Sequence, residues 1–131
     1  MREGGITTLY DDGFQSSIMD ARSVVEGYYE ALDEGRYEYL GSILAPEFVQ
    51  HRPDRTFEGR EAFVQFMAND RPTTDTTHDL DSIVVDSDRA AVRGRLLDAD
   101  DEAMFEFADH FLLEDGQLVR LDTYTRPAEL D

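Results

Sequence analysis

The chain has 131 residues, 40% of them hydrophobic and 11% aromatic, which is enough to bury one core and suits a single domain. Thirty acidic residues against twelve basic ones give a formal net charge of −18, which disfavours binding to the phosphates of nucleic acids. The lack of cysteine excludes disulfides, thiol catalysis and cysteine-based zinc sites.

All twelve basic residues are arginine. An acidic surface without lysine resembles that of proteins from the salt-loaded cytoplasm of extreme halophiles, where salt screens like charges from one another. An ordinary acidic bacterial protein is the alternative. No segment reaches the ~18 consecutive apolar residues of a membrane span. We expect a cytoplasmic protein, since the first seventeen residues also lack the apolar core of a secretory signal.

Residues 1–17 show no sustained periodicity, and we interpret them as a tail before a single domain over residues 18–131. Asp20 is a candidate N-cap for a first helix, and Gly35 suits the position after its last turn. The apolar positions between them have helical spacing: Ala21, Val24, Val25, Tyr28 and Leu32.

Shorter elements follow. The spacing of apolar residues predicts a second helix over Tyr37–Leu44 that stops at Pro46, and a short strand over Phe48–His51. A third helix is expected over Gly59–Met67, and the Thr- and Asp-rich segment Pro72–Thr77 is expected to be a loop.

From His78 onward the apolar residues alternate, which predicts four strands joined by hairpin turns and therefore antiparallel neighbours. The strands are Leu80–Val85, Ala90–Leu97, Met104–Leu113 and Gln117–Tyr124. Helices first and a long meander afterwards favour an α+β fold with helices on one face of the sheet.

The order of these elements is similar to that of a known family. The segments that carry the resemblance are VEGYYEALDEGRYEYLGSIL, APEFVQHRP, EGREAFVQFM and FADHFLLEDGQLVRLDTY. Together they resemble the SnoaL-like branch of the nuclear-transport-factor-2-like superfamily, which includes polyketide cyclases and has a ketosteroid isomerase type fold. The resemblance covers Ala21 to Arg126. It implies a cone-shaped, curved antiparallel sheet with helices on its concave face, a ligand pocket and a homodimer. We expect no cofactor.

Asp109 is the strongest catalytic candidate. Alternation places it on the same strand face as Phe105, Phe107, Phe111 and Leu113, where burial should raise its pKa toward the range of a general acid or base. The alternatives are a structural Asp satisfied by backbone donors or by an arginine, and a bulge that turns it outward.

The three histidines are too far apart in sequence to indicate a metal site. His51, at the end of the first strand, matches a region where the family often directs a polar side chain toward the pocket, so it is a catalytic candidate that could donate to a substrate carbonyl. Its alternative is a bond to the neighbouring loop. His78 could line the pocket or be a surface residue, and His110 is expected on the outer face.

Aromatic residues supply the remaining pocket candidates. Tyr28 and Tyr29 are adjacent on the first helix, so at most one is expected to point fully inward, and Tyr28 continues the apolar stripe. It is a candidate for substrate binding, although a core role is the simpler interpretation. The set of predicted substrate-binding residues is Tyr28, Phe105, Phe107, Tyr124 and His78.

The last strand departs from the family pattern. Catalytic relatives often carry a Trp-Asp pair there, and the corresponding residues in this chain are Asp122 and Thr123. The resemblance therefore leaves the cyclase reaction open. An epoxide-hydrolase-like cluster would require Arg93 or Arg95 to join Asp109 and Asp122 in the pocket.

Two functions follow. The first is a small-molecule-binding protein that acts as an acid/base enzyme of the cyclase, isomerase or hydratase type on an apolar substrate, with Asp109 as its catalytic group and His51 as its helper. The second is a non-catalytic ligand-binding or dimerisation module with a small or Phe-filled pocket. The volume of the cavity at Asp109, and the polar groups that converge there, would distinguish the two functions.

Overall fold

A computed structural model describes residues 13–71 and 75–128 of the chain, with side chains from Ala21 onward. Helices make up most of the first half and long strands the second. The elements in chain order are α1 (Gly13–Glu34), α2 (Tyr37–Ser42), β1 (Leu44–His51), β2 (Thr56–Glu58), α3 (Arg60–Gln65), a π-helical turn (Phe66–Asp70), β3 (Thr77–Asp86), β4 (Arg89–Leu97), β5 (Ala103–Glu114) and β6 (Gln117–Pro127).

Six strands form one curved sheet in the order β2-β1-β6-β5-β4-β3. All neighbours are antiparallel except β1 and β6, which run parallel. The first long strand thus lies beside the last, and the chain between them builds the rest of the sheet. The predicted α+β fold with an antiparallel sheet is confirmed, with one parallel pair that the hairpin pattern did not indicate.

Helix α1 ends as predicted and begins earlier than predicted. Gly35 adopts φ +70°, and the backbone N–H of Arg36 donates to the carbonyl oxygen of Ala31 at 2.8 Å, which is the bonding of a Schellman C-terminus. At the other end the helix starts at Gly13, so Asp20 lies inside it and is not its N-cap. Residues 1–12 of the predicted tail lie outside the described residues.

The core lies between the helices and the inner face of the sheet. Helix α1 packs against β3 and β4, and α3 packs against β1 and β2. The fully buried large side chains are Phe48, Phe63, Leu40, Leu44, Leu118, Leu121 and Val25. Within the described part of the chain, no helix is long and apolar enough to cross a membrane.

The prediction for the second helix was wrong at its end. Leu44 pairs with Leu118 of β6, so its backbone belongs to the sheet and α2 stops at Ser42. Pro46 lies within β1, where the register between β1 and β6 shifts between Leu44 and Val49. An irregularity of this kind accommodates a residue that has no backbone N–H for the ladder.

The four predicted strands are confirmed and are one to four residues longer than expected. Strand β2, only three residues long, was not predicted, and the third helix continues into a π-helical turn. The predicted loop Pro72–Thr77 is described only in part, because residues 72–74 lie outside the described residues. Its last residue, Thr77, already belongs to β3. Asp115 and Gly116 have φ of 53° and 79°, as the tight hairpin between β5 and β6 requires.

Candidate functional site

A cavity of about 220 Å³ lies between the helices and the inner face of the sheet. Its walls are largely apolar, and its polar groups come from the helices and from strands β1, β3, β5 and β6. The lining residues are Tyr28, Leu32, Gln50, Arg52, Phe66, Met67, Arg71, Thr76, His78, Leu96, Met104, Phe105, Phe107, Asp109, Thr123 and Thr125. The cavity is therefore open and not filled by phenylalanine side chains, which was one of the two forms of pocket expected for a non-catalytic module.

Asp109 lies in the wall of this cavity and is only 5% exposed. Its strand, β5, keeps its alternation, so Asp109 faces inward together with Phe107 and Phe111. Both carboxyl oxygens accept a hydrogen bond of 2.6 Å, Oδ2 from the hydroxyl of Tyr29 on α1 and Oδ1 from the hydroxyl of Thr123 on β6. A buried carboxyl group with two short O–H donors is held in one fixed orientation.

The bond to Thr123 continues into a relay. Thr123 is the direct cross-strand partner of Asp109, and its hydroxyl accepts a hydrogen bond of 2.9 Å from Nε2 of Gln50 on β1. A hydroxyl that accepts from Gln50 is oriented to donate to Asp109. Three neighbouring strands thus contribute one residue each to the same chain of hydrogen bonds.

Burial governs the protonation of Asp109. Desolvation of the carboxylate raises the pKa of Asp109 above its ordinary value, while the hydrogen bonds from Thr123 and Tyr29 and the charges of His78 and Arg52 oppose this rise. The pKa of Tyr29 is also raised, because the phenol is buried and lies against the carboxylate of Asp109. Tyr29 therefore stays protonated and donates to Asp109, and the carboxyl group of Asp109, with its raised pKa, holds a proton to higher pH than an ordinary Asp.

His78 forms a second polar centre on the same wall. Its Nδ1 lies 2.6 Å from Oδ1 of Asp33, and both carboxylate oxygens of Asp33 also accept from the backbone N–H of His78, at 3.1 and 3.2 Å. The ring packs at 5.1 Å from the ring of Tyr29 and at 5.6 Å from that of Phe107. Because Asp33 binds Nδ1, the nitrogen left for a ligand is Nε2, which donates when the ring is charged and accepts when it is neutral.

Two arginines line the cavity, and they differ in their hydrogen-bond partners. Arg52 donates to both carboxylate oxygens of Asp54, at 3.0 and 3.1 Å, and its guanidinium lies over the rings of Phe57 and Phe66. Arg71 donates only to the hydroxyl of Tyr37, at 3.1 Å, and to the carbonyl oxygen of Leu32, at 3.4 Å.

The residues predicted for the pocket divide into two groups. The structure brings together Asp109, Tyr28, Phe105, Phe107 and His78, all of which line the cavity. The other two, His51 and Tyr124, lie elsewhere.

His51 and Tyr124 face away from the cavity because each is one residue from an inward-facing position. In the second half of β1 the buried residues are Phe48 and Gln50, so His51 is exposed, and its Nδ1 lies 3.3 Å from the hydroxyl of Thr56. On β6 Thr123 lines the cavity, and Tyr124 is 62% exposed on the outer face. The predicted placements of His51 and Tyr124 in the pocket are therefore wrong.

The expectation that only one of the adjacent tyrosines points inward is also wrong. Tyr28 and Tyr29 are each 3% exposed, and their rings meet edge to face at 5.0 Å. A broad apolar face on α1 accommodates both: Tyr28 lines the cavity, and Tyr29 reaches Asp109.

The epoxide-hydrolase-like cluster does not form. Arg93 and Arg95 lie on the outer face, where they pair with Asp81 and Asp79 of the neighbouring strand. Asp122 also faces outward and accepts from Nε of Arg120 at 3.0 Å. The inward position belongs to Thr123, as the family register implied, and no bulge brings Asp122 into the cavity.

Sequence reasoning missed Asp33, Gln50 and Arg71. A signal existed for the first two: Asp33 lies four residues after Tyr29, on the same helix face, and Gln50 shares its strand face with Phe48. For Arg71, which follows the π-helical turn, we find no such signal. Among the residues that the structure describes, no group of three or more His, Asp or Glu side chains could hold a metal ion.

Comparison with known proteins assigns the architecture. The family model of the SnoaL-like domain matches residues 25–121. No curated protein matches the sequence.

Solved structures agree in fold. A candidate ketosteroid isomerase from Kribbella flavida DSM 17836 has a TM-score of 0.76 at 19% identity, covering 88% of this chain and 84% of its own. An NTF2-like protein of unknown function from Mesorhizobium loti has a TM-score of 0.72 at 23% identity, with coverages of 92% and 99%. An LEH-like epoxide hydrolase of M. tuberculosis has a TM-score of 0.71 at 14% identity, with coverages of 83% and 84%. At these identities the likeness shows the fold alone.

Proposed function

Because the chain belongs to the family of SnoaL-like domains, we propose that it binds a small, largely apolar molecule beside Asp109 and transfers a proton on it. The observation that carries this proposal is a buried carboxyl group, held by two O–H donors, in the wall of an apolar cavity. Polar groups that converge in an apolar pocket are the usual mark of a site that orients a ligand.

Asp109 is the proton acceptor in this proposal. Its carboxylate takes a proton from a carbon next to a carbonyl group. The electron pair of that C–H bond forms a C=C bond, and the π pair of the carbonyl group moves to its oxygen, which gives an enolate. Proton uptake neutralises a buried charge, so the desolvation that raises the pKa of Asp109 also favours the transfer. Tyr29 and Thr123 keep the carboxylate in position throughout.

His78 stabilises the charge that develops on the substrate oxygen. Its Nδ1 is bound by Asp33, so Nε2 of the charged ring is the atom that can donate to the enolate oxygen. Where a C=C bond is conjugated with the enolate, as in a β,γ-unsaturated ketone, Asp109 then returns the proton to the γ-carbon, which shifts the double bond and restores the carboxylate. The sequence suggested His51 as the donor to a substrate carbonyl. We assign that role to His78, because His78 lines the cavity.

Hydrogen exchange tests the proposal without knowledge of the natural substrate. The full chain is incubated in D₂O with 4-phenylbutan-2-one, a neutral apolar ketone, and NMR follows the loss of the protons next to the carbonyl. We expect exchange with the wild-type protein. With Asp109→Asn the rate should fall by at least about 100-fold, the loss typical of a missing acid/base group.

Asp122→Asn is the matched control, since it removes a carboxylate of the outer face next to Thr123. It should leave the exchange rate unchanged. An Asp109→Asn variant with the wild-type rate would contradict the proposal. Binding of the ketone without any exchange would favour the second function, a non-catalytic ligand-binding module.

A further inference from the structure

Arg71 differs from most arginines of this protein in having no acidic partner. The chain has thirty acidic residues for twelve arginines. Among the described arginines, those that pair with Asp or Glu are Arg22, Arg36, Arg52, Arg55, Arg93, Arg95, Arg120 and Arg126. Arg71 has no carboxylate within salt-bridge distance in the described part of the chain, and it lines the cavity.

The hydrogen-bonding capacity of Arg71 is largely unused. Both of its contacts, to Tyr37 and to Leu32, are made through Nη2. Its Nε is buried and has no partner among the described residues. A guanidinium has five N–H donors, and the edge formed by Nε and a terminal nitrogen matches the two oxygens of a carboxylate.

Asp109 is not the missing partner. Its two oxygens accept from Tyr29 and Thr123, and no contact joins it to Arg71. Arg52, the other arginine of the cavity, is already bound by Asp54 through two hydrogen bonds. The positive charge of Arg71 is therefore the one on the cavity wall that no described side chain neutralises.

A second unpaired group lies in the same wall. Gln50 is 4% exposed, and its Nε2 donates to Thr123, while its Oε1 is buried without a partner. Both residues line the cavity, and each carries a buried polar atom without a partner among the described residues, a donor in Arg71 and an acceptor in Gln50. Buried polar groups of this kind are rare in folded proteins unless something else completes them.

We infer that Arg71 binds a carboxylate of the ligand, so that the cavity takes a small aromatic or aliphatic carboxylic acid rather than a neutral molecule. This inference deepens the proposed function, on which it rests for the idea that the cavity holds a ligand. An N–H or O–H group on the same ligand would satisfy Gln50. The acid group at Arg71 would then fix the direction in which the apolar part extends toward Asp109.

The test compares an acid with its neutral isostere. Isothermal titration calorimetry measures the binding of 3-phenylpropanoate and of 3-phenylpropanamide to the full chain. We expect the acid to bind wild-type protein at least tenfold more tightly than the amide. Arg71→Met should remove this preference, and Arg71→Lys should retain part of it.

Arg60→Met is the matched control. Like Arg71, Arg60 has no acidic partner among the described residues and donates to a backbone carbonyl oxygen at 3.4 Å, that of Leu44, but it does not line the cavity. Both substitutions change the net charge equally, so only a local contact can separate them. Equal binding of acid and amide by the wild-type protein, or an equal loss of preference in both variants, would overturn the inference.

The outcome is separable from that of the proposed function. The exchange assay uses a neutral ketone and the binding assay needs no turnover. Exchange that depends on Asp109 without a preference for the acid would overturn only the role of Arg71. A preference for the acid that depends on Arg71, without exchange, would support Arg71 and leave a binding protein.

Discussion

The carboxylates on the two faces of the sheet have different hydrogen-bond partners. On the outer face, carboxylates are paired with arginines across the strands, as in Arg93–Asp81 and Arg95–Asp79, and these side chains are between 46% and 70% exposed. On the inner face, Asp109 has no arginine within hydrogen-bonding distance and is held instead by the hydroxyl groups of Tyr29 and Thr123.

This difference separates the surface charge of the protein from the charge that controls proton transfer. Exposed ion pairs contribute about 0–1 kcal/mol each and can be exchanged for one another at little cost. A buried carboxyl group that is bound by neutral donors keeps much of its desolvation penalty, so its proton affinity remains high. The large negative charge is thus a property of the surface, while the chemistry depends on one acidic residue that is kept apart from it.

The largest expected contrast between the faces concerns packing. Phe111→Ala removes a ring that is 2% exposed and packs against Tyr28 and Tyr29, so it should lower the free energy of unfolding by about 3–5 kcal/mol. Tyr124→Ala, on the outer face, should change it by less than about 0.5 kcal/mol. Urea unfolding measures both, and a comparable loss at Tyr124 would show that the outer face is covered.

The next contrast concerns hydrogen bonding to Asp109. Tyr29→Phe leaves one carboxyl oxygen without its donor and should cost about 1–3 kcal/mol of unfolding free energy at neutral pH. Tyr28→Phe is the control, because Tyr28 is equally buried and has no side-chain hydrogen bond among the described residues. Equal losses in the two variants would mean that the bond to Asp109 contributes nothing measurable.

The smallest contrast concerns pH. Because the folded-state pKa of Asp109 is raised, the folded protein binds more protons than the unfolded chain between the ordinary pKa of Asp and the raised value. The stabilising contribution is complete below the ordinary pKa and is lost as the pH rises through the folded-state pKa, by at most about 1.4 kcal/mol per pH unit.

Asp109→Asn should abolish this loss, so the unfolding free energy of the variant should rise relative to wild type as the pH increases from 4 upward. Tyr29, His78 and Arg52 face Asp109 and remain in both proteins, so the difference isolates the carboxyl group. Asp122→Asn should show no such trend. Parallel pH profiles for wild type and Asp109→Asn would contradict a raised pKa.

Much of the fold could be predicted from the sequence because local patterns determine it. Alternation along β5 placed Asp109 and the phenylalanines on the inner face, and Gly35 marked the end of α1. The elements that were missed depend on pairing with distant parts of the chain. Strand β2 has three residues and exists through its ladder with β1, and Leu44 was assigned to a helix although its partner on β6 places it in the sheet.

The site was predictable only where the strand register was correct. His51 and Tyr124 were each misplaced by one residue, and a shift of one residue turns a side chain to the opposite face. The neighbours Gln50 and Thr123 took the inward positions. The contacts between Tyr29 and Asp109 and between Asp33 and His78 join residues 80 and 45 positions apart, and no local pattern reports such distances.

Helix α1 carries both of these long-range contacts. Tyr29 and Asp33 lie one turn apart. Tyr29 hydrogen-bonds to Asp109 of β5, and Asp33 hydrogen-bonds to His78 of β3. A small translation or rotation of α1 would therefore lengthen both hydrogen bonds together. A substitution at a buried position of α1 such as Val25 would therefore act on both contacts at once, without altering a residue that lines the cavity.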